Sequence, residues 1–240
     1  MQKSNYKYFN FLCLIISFGF VLGILWLWRG ASVKSENKVP VVKVVENKTE
    51  LKSNGVLLKE VNLPVPFTSQ APEKNWEQPW QDACEEAAVL MMDAYYKQYN
   101  LSPLFARDEI IKMVQWQEKE MGWGFSIEME KLEELMEHYF GQAKFSIIED
   151  PTVEQIKTYV AEGRPVLVVA DGKVLPNPHF RNGGPEYHAL IIRGYTEDSF
   201  ITNDPGTQFG ENFVYKYNVL MNAIHDWNGG NVKEGRRVVL

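Results

Sequence analysis

Of the two cysteines in this 240-residue chain, Cys13 lies inside an apolar run, which leaves Cys84 as the one thiol for the rest of the sequence. It stands where the non-helical stretch EKNWEQPWQDA gives way to a helical pattern. The free N–H groups and the dipole at a helix start favour a thiolate over a thiol. Glu85 and Glu86 follow at once and act the other way, because neighbouring negative charge raises a thiol's pKa. A nearby imidazolium is needed to win. The alternative reading of a lone cysteine is a small buried hydrophobe.

Four histidines could supply that imidazolium. His138 ends an amphipathic helical pattern beside Tyr139, and its type and place suit a helix C-terminus. His179 sits in the loop LPNPHFRNGGPEY and is expected to face solvent, and His225 is expected in a final helix, packing with Asp226 and Trp227. His188 differs, because it opens the strand pattern HALIIRGY directly after a turn. Sixteen residues on, Asn203-Asp204-Pro205-Gly206 closes the next strand. A hairpin of that length returns Asp204 to the level of His188, although Asp-Pro-Gly also starts turns with no further role. Thiol, imidazole and carboxylate in these three settings match a nucleophile, a base and the group that orients it.

Other chemistries lack their residues. No CxxC, HxxxH or HExxH spacing exists for a metal, and no glycine-rich phosphate loop is present, so neither metal nor cofactor is expected. Glu118, Glu120, Glu128, Glu130, Glu133, Glu134 and Glu137 read as solvated helix faces. Residues 1–59 carry nine Lys/Arg against three acids, which leaves 16 basic and 28 acidic residues in 60–240. So acidic a body argues against binding nucleic-acid phosphates.

The elements that must position these groups follow from hydrophobic period. Val61–Ser69 is extended, since its prolines exclude helix. Helices are expected over Cys84–Tyr99, Arg107–Met121 and Ser126–Tyr139, and another from Asp150-Pro151, as cap and opener, to Gly163. Strands are expected at Lys144–Glu149, Pro165–Ala170, His188–Tyr195, Phe200–Asn203, Val214–Tyr217 and Arg237–Leu240, with a helix at Val219–Trp227. Helices first and strands later predict an α+β fold with segregated layers.

In front of this domain, assigned to residues 60–240, lie a leader (1–10), an apolar segment (11–28) and a stretch read as a flexible stalk (29–59). Phe11–Trp28 carries no charge and, as a helix of roughly 27 Å, nearly matches a ~30 Å hydrocarbon core. Tyr6, Tyr8 and Phe9 flank one end, Trp26 and Trp28 the other, as interfacial rings do. An uncleaved, single-pass signal-anchor in the cell membrane is therefore expected, with a cleaved signal peptide as the alternative. The folded body is expected outside the cytoplasm, although a strict count of Lys and Arg on either side of the segment favours the reverse.

The stretches VPFTSQAP, PWQDACEEAAVLM, GPEYHALIIRGY and FITNDPGTQFG, in this order, resemble the bacteriocin-processing (double-glycine leader) cysteine peptidase-like family of the papain-like superfamily. The similarity runs from about Leu63 to Trp227. It implies a papain-like α+β fold, with nucleophile Cys84 at the start of a central helix, base His188 and orienting Asp204. It also implies an upstream glutamine donating to the oxyanion. Gln70 matches the family's strand-end position but precedes Cys84 by fourteen residues; Gln78 stands at the six-residue interval usual in the superfamily, and Gln81 is closer still. The Cys-Gly-Pro common in the family is Cys84-Glu85-Glu86 here. The resemblance implies a peptide or protein substrate; the same triad also suits an acyltransferase or transpeptidase, and a non-catalytic binding module on this fold is the third class. The oligomeric state is left open.

Overall fold

The computed structural model describes residues 52–53, 56–141 and 145–240. The segments 1–10 and 11–28 read as leader and membrane anchor lie outside them, as does most of 29–59. Among the described residues no helix is long and apolar enough to cross a membrane. Within the stretch read as stalk, β1 (Lys52–Ser53) and β2 (Val56–Leu57) form a short hairpin, and Leu57 and Leu58 pack against the core.

An antiparallel sheet organises the rest. Its strands are β3 (Val61–Asn62), β4 (Ile148–Glu149), β5 (Val166–Asp171), β6 (Tyr187–Tyr195), β7 (Ser199–Asn203), β8 (Phe213–Lys216) and β9 (Val238–Val239). They run β4-β9-β5-β6-β7-β8, with β3 paired to the end of β6. Every residue of β5, β6 and β7 is buried; since successive side chains point to opposite faces, these strands are covered on both sides. A bulge between Ile192 and Gly194 shifts the β6–β7 register. Gly194 is needed there: a Cβ would stand 2.4 Å from the Val61 carbonyl oxygen of β3.

Helix α1 (Cys84–Lys97) is buried from Cys84 to Ala94, as a central helix must be, and packs on β6. It ends where Gln98 turns left-handed and returns its N–H to the Ala94 carbonyl. Helices α2 (Pro103–Lys119) and α3 (Met129–Phe140) pack against it, the latter burying Met129, Leu132, Leu135 and Met136 at helical spacing. The α2 start lies earlier than the apolar period suggests, because Ser102 caps Phe105 N–H and Pro103 fits the first turn. Helix α4 (Val153–Ala161) is capped by Thr152 in a capping box with Gln155, worth about 1 kcal/mol. Asp150, expected to be the cap, takes a positive φ in the preceding turn. Helix α5 (Tyr217–Ala223) is shorter than its pattern, because Ile224 bridges to Ala170 of β5 and draws the chain onto the sheet. His225 consequently lies beyond the helix and donates from Nδ1 to the Gly235 carbonyl.

Candidate active site

The hairpin β6–β7 does what its length demands. His188, second residue of β6, places Nε2 2.7 Å from Asp204 Oδ1, just past the end of β7. Both side chains are 0 % exposed. Four donors converge on the carboxylate: His188 Nε2 and the Gly206 N–H on Oδ1, the Tyr215 hydroxyl (2.6 Å) and Asn177 Nδ2 (3.1 Å) on Oδ2. Burial pushes the Asp204 carboxyl up, but His188, Tyr215 and Asn177 outweigh it and hold the group below the usual carboxylate range. An ionised Asp204 accepts, so Nε2 carries the ring proton and Nδ1 keeps its lone pair. That Nδ1 is buried without a hydrogen-bond partner.

Cys84 lies on the helix that packs against this strand. The thiol sits at the first residue of α1, and the backbone N–H of Ala189, next to His188 on β6, donates to its sulfur. The start of α1 thus lies against the strand that carries His188. The sulfur in turn donates to Glu85 Oε2 at 2.9 Å. Burial raises the thiol pKa well above its ordinary value, and the Glu85 charge adds to that, as the acids after the cysteine lead one to expect. The Glu85 carboxyl is itself pushed by burial up to about 7.

A cleft of about 430 Å³ has Gln70, Trp76, Phe180, Tyr187, Gly206 and Trp227 in its wall. Gly206 separates cleft from base. A Cβ there would stand 2.8 Å from His188 Cε1, so only glycine fits against the ring. Phe180 packs edge-on against the same ring, with centroids 5.3 Å apart.

The three glutamines part company. Gln70 is buried, and its Nε2 donates to the carbonyls of Trp80 (3.0 Å) and Gln81 (2.8 Å), pinning the segment that leads into α1. Its backbone N–H reaches the Pro205 carbonyl, beside Asp204. Gln81 is exposed on the cleft wall, while Gln78 is exposed and donates to Asp82. Among the histidines, His138 stacks on Trp116 and His179 is exposed beside Phe209. Neither joins Cys84. Among the described residues no cluster of His, Cys, Asp and Glu could hold a metal ion.

The comparisons agree with this architecture. The profile of the Peptidase_C39 like family matches residues 62–230, well over half of the chain. The chain belongs to that family. A crystal structure of a candidate C39-like peptidase from Bacillus anthracis aligns with this C39-like chain at 17% identity and a TM-score of 0.51, covering 76% of this chain and 96% of the other. At that identity the likeness speaks for the fold, which is α+β with an antiparallel sheet. The Carica candamarcensis cysteine protease CMS1MS2, solved with E-64, aligns at 14% identity over 77% of this chain and 98% of its own; its TM-score of 0.29 carries no argument. No curated protein matches the sequence significantly.

Two residues of this C39-like site escape a sequence reading. Tyr215 lies mid-strand in β8 and Asn177 in the Pro-rich loop, and neither has a motif that links it to Asp204. Asx-turn chemistry is visible at Asn177, whose Oδ1 accepts the His179 N–H, but that signal points to a turn and not to a carboxylate 27 residues away.

Glu86, 1 % exposed, is raised well above the carboxylate range by burial, then by Glu85. A raised carboxyl keeps in the folded state a proton that the unfolded chain releases above about pH 4.5, so its contribution to stability declines as pH rises from there. Glu86→Gln, neutral at every pH, is therefore expected to be more stable than the wild type by about 1–3 kcal/mol at pH 8 and nearly equal to it at pH 4. Urea melts at the two pH values measure this; an equal difference at both would contradict it.

Proposed function

We propose that this chain is a papain-like cysteine peptidase that cleaves amide bonds of peptide or protein substrates with Cys84, His188 and Asp204. The observation that carries the reading is the His188–Asp204 pair at 2.7 Å, whose second ring nitrogen is buried and unpartnered, on the strand whose next residue, Ala189, donates its N–H to the Cys84 sulfur. Membership of a peptidase family supports the substrate class.

The S–H proton passes to His188 Nδ1, and the thiolate attacks the scissile carbonyl carbon. Asp204 holds the tautomer and stabilises the imidazolium. Oxyanion charge falls to the Cys84 N–H, among the first donors of α1 with no intrahelical acceptor, and to the Gln70 amide once it gives up one of its two backbone carbonyls. His188 then returns its proton to the leaving amine, and water, deprotonated by the same ring, releases the acyl group from sulfur. Phe11–Trp28 supports a tether that places this domain outside the cytoplasm. The full chain is expected to stay with membranes after an alkaline wash; release into the supernatant speaks against a tether.

The enzymatic test is the detergent-solubilised full chain incubated with a mixed peptide library. New N-termini, abolished by prior iodoacetamide treatment, are expected. Cleavage that survives complete alkylation of Cys84 would overturn the reading.

A further inference from the structure

Beside the nucleophile stands a second acid–base group that the triad does not use. Glu85 is 1 % exposed, and its two oxygens are aimed inward: Oε2 takes the Cys84 thiol at 2.9 Å, Oε1 the Ile127 N–H at 3.4 Å. As drawn, this is an S–H donor on a carboxylate, a form in which the sulfur is neutral and a poor nucleophile. One more proton reverses the relation. A neutral carboxyl can donate its O–H to sulfur, and the charge that opposes a thiolate is gone.

We propose that Glu85 is a further catalytic residue: in the reactive site its neutral carboxyl donates to the Cys84 thiolate, and its ionised form locks the thiol as S–H. The interconversion balances with one proton from solvent, which binds Glu85 Oε2 while the S–H proton moves to His188 Nδ1. The product is a thiolate–imidazolium pair with a carboxyl donor on the sulfur. No other bond forms or breaks. The inference rests on Cys84 being the nucleophile and names the group that decides when it is one.

The surroundings make the neutral form accessible. Facing Glu85 are Cys84 and Glu86 from its own helix, Tyr187 and His188 from β6, and the Ile127 N–H from the segment before α3. Beyond Tyr187, whose hydroxyl donates to the Ile127 carbonyl and to Asp226 Oδ1, Arg236 neutralises Asp226. No lysine or arginine is among these immediate neighbours. Burial, opposed by the hydrogen bonds and by His188, leaves the carboxyl titrating at about 7. Reactivity therefore belongs to the acid side of that value and fades as Glu85 ionises.

Glu85→Gln tests this, because the carboxamide donates an N–H to sulfur and stays neutral. Iodoacetamide alkylation of Cys84 is followed from pH 5 to 9 in the detergent-solubilised full chain, wild type against E85Q, with Cys84→Ala as the blank. The ratio of E85Q to wild-type rate is expected to climb with pH, by about tenfold or more, since one unit of thiol acidity is a tenfold change in thiolate. A ratio that stays flat overturns the proposal. A measurement on the wild type needs no variant: the infrared band of a protonated carboxyl should titrate with a midpoint that moves when Cys84 is alkylated. An unmoved midpoint also overturns it. Should Cys84→Ala still turn peptide over, the nucleophile assignment itself fails; a flat ratio with Cys84 essential removes Glu85 alone.

Discussion

Peptide cleavage, and labelling at position 84, are both expected to vanish in Cys84→Ala, with turnover down about ten-thousandfold or more, because no other described side chain offers a nucleophile at the start of α1. The fold is expected to survive. Cys84 is 4 % exposed and the change removes one sulfur atom from a helix otherwise packed by Ala87, Ala88 and Leu90, a loss of about 1 kcal/mol. The same change deletes the S–H donor to Glu85, so any instability should be worst above pH 7, where that carboxylate is ionised and its Oε2 has lost its donor. Circular dichroism melts at pH 5 and 8, run beside the cleavage assay, separate lost chemistry from lost structure. Wild-type turnover in a folded Cys84→Ala protein would end the peptidase reading.

Asp204→Asn is expected to lower kcat/KM by roughly 10²- to 10⁴-fold while leaving the fold intact at neutral pH. The carboxamide can present an N–H to His188 Nε2, which then becomes the acceptor and sends the ring proton to Nδ1, the nitrogen that must take the proton from sulfur. Charge matters as well. Because the Asp204 pKa is depressed in the folded protein, its interactions stabilise the fold above about pH 3.8 and are lost as pH falls through the lower, folded value. The wild type should thus outlast the variant at pH 7, with the gap closing in strong acid. Tyr215→Phe, which removes one of the two donors on Oδ2, should cost about tenfold in kcat with KM little changed. Activity of Asp204→Asn within a factor of two of the wild type would mean that His188 needs no orienting carboxylate.

Much of this arrangement is legible along the chain for identifiable reasons. Helix α1 announces itself through apolar spacing after a non-helical stretch, and β5 and β6 through short buried runs bounded by glycine and proline. The approach of Asp204 to His188 follows from hairpin length, which is local arithmetic; the 2.7 Å contact bears it out. Boundaries fare worse where capping overrides hydrophobic period, as at Ser102 and Thr152, or where a long-range bridge ends a helix early, as at Ile224.

Residue type, order and spacing already single out a candidate thiol, imidazole and carboxylate, because helix starts and strand ends leave periodic marks within a dozen residues. What they leave open is whom each group meets. That Asn177 and Tyr215 share Asp204, that Gln70 spends its amide on Trp80 and Gln81, and that Glu85 bends back onto the sulfur are contacts made by side-chain direction and burial. Such contacts depend on which faces the packed layers bring together and how much water they exclude. A carboxylate beside a thiol is unremarkable in solvent and decisive in a dry interior, and only the tertiary structure says which of the two Glu85 occupies.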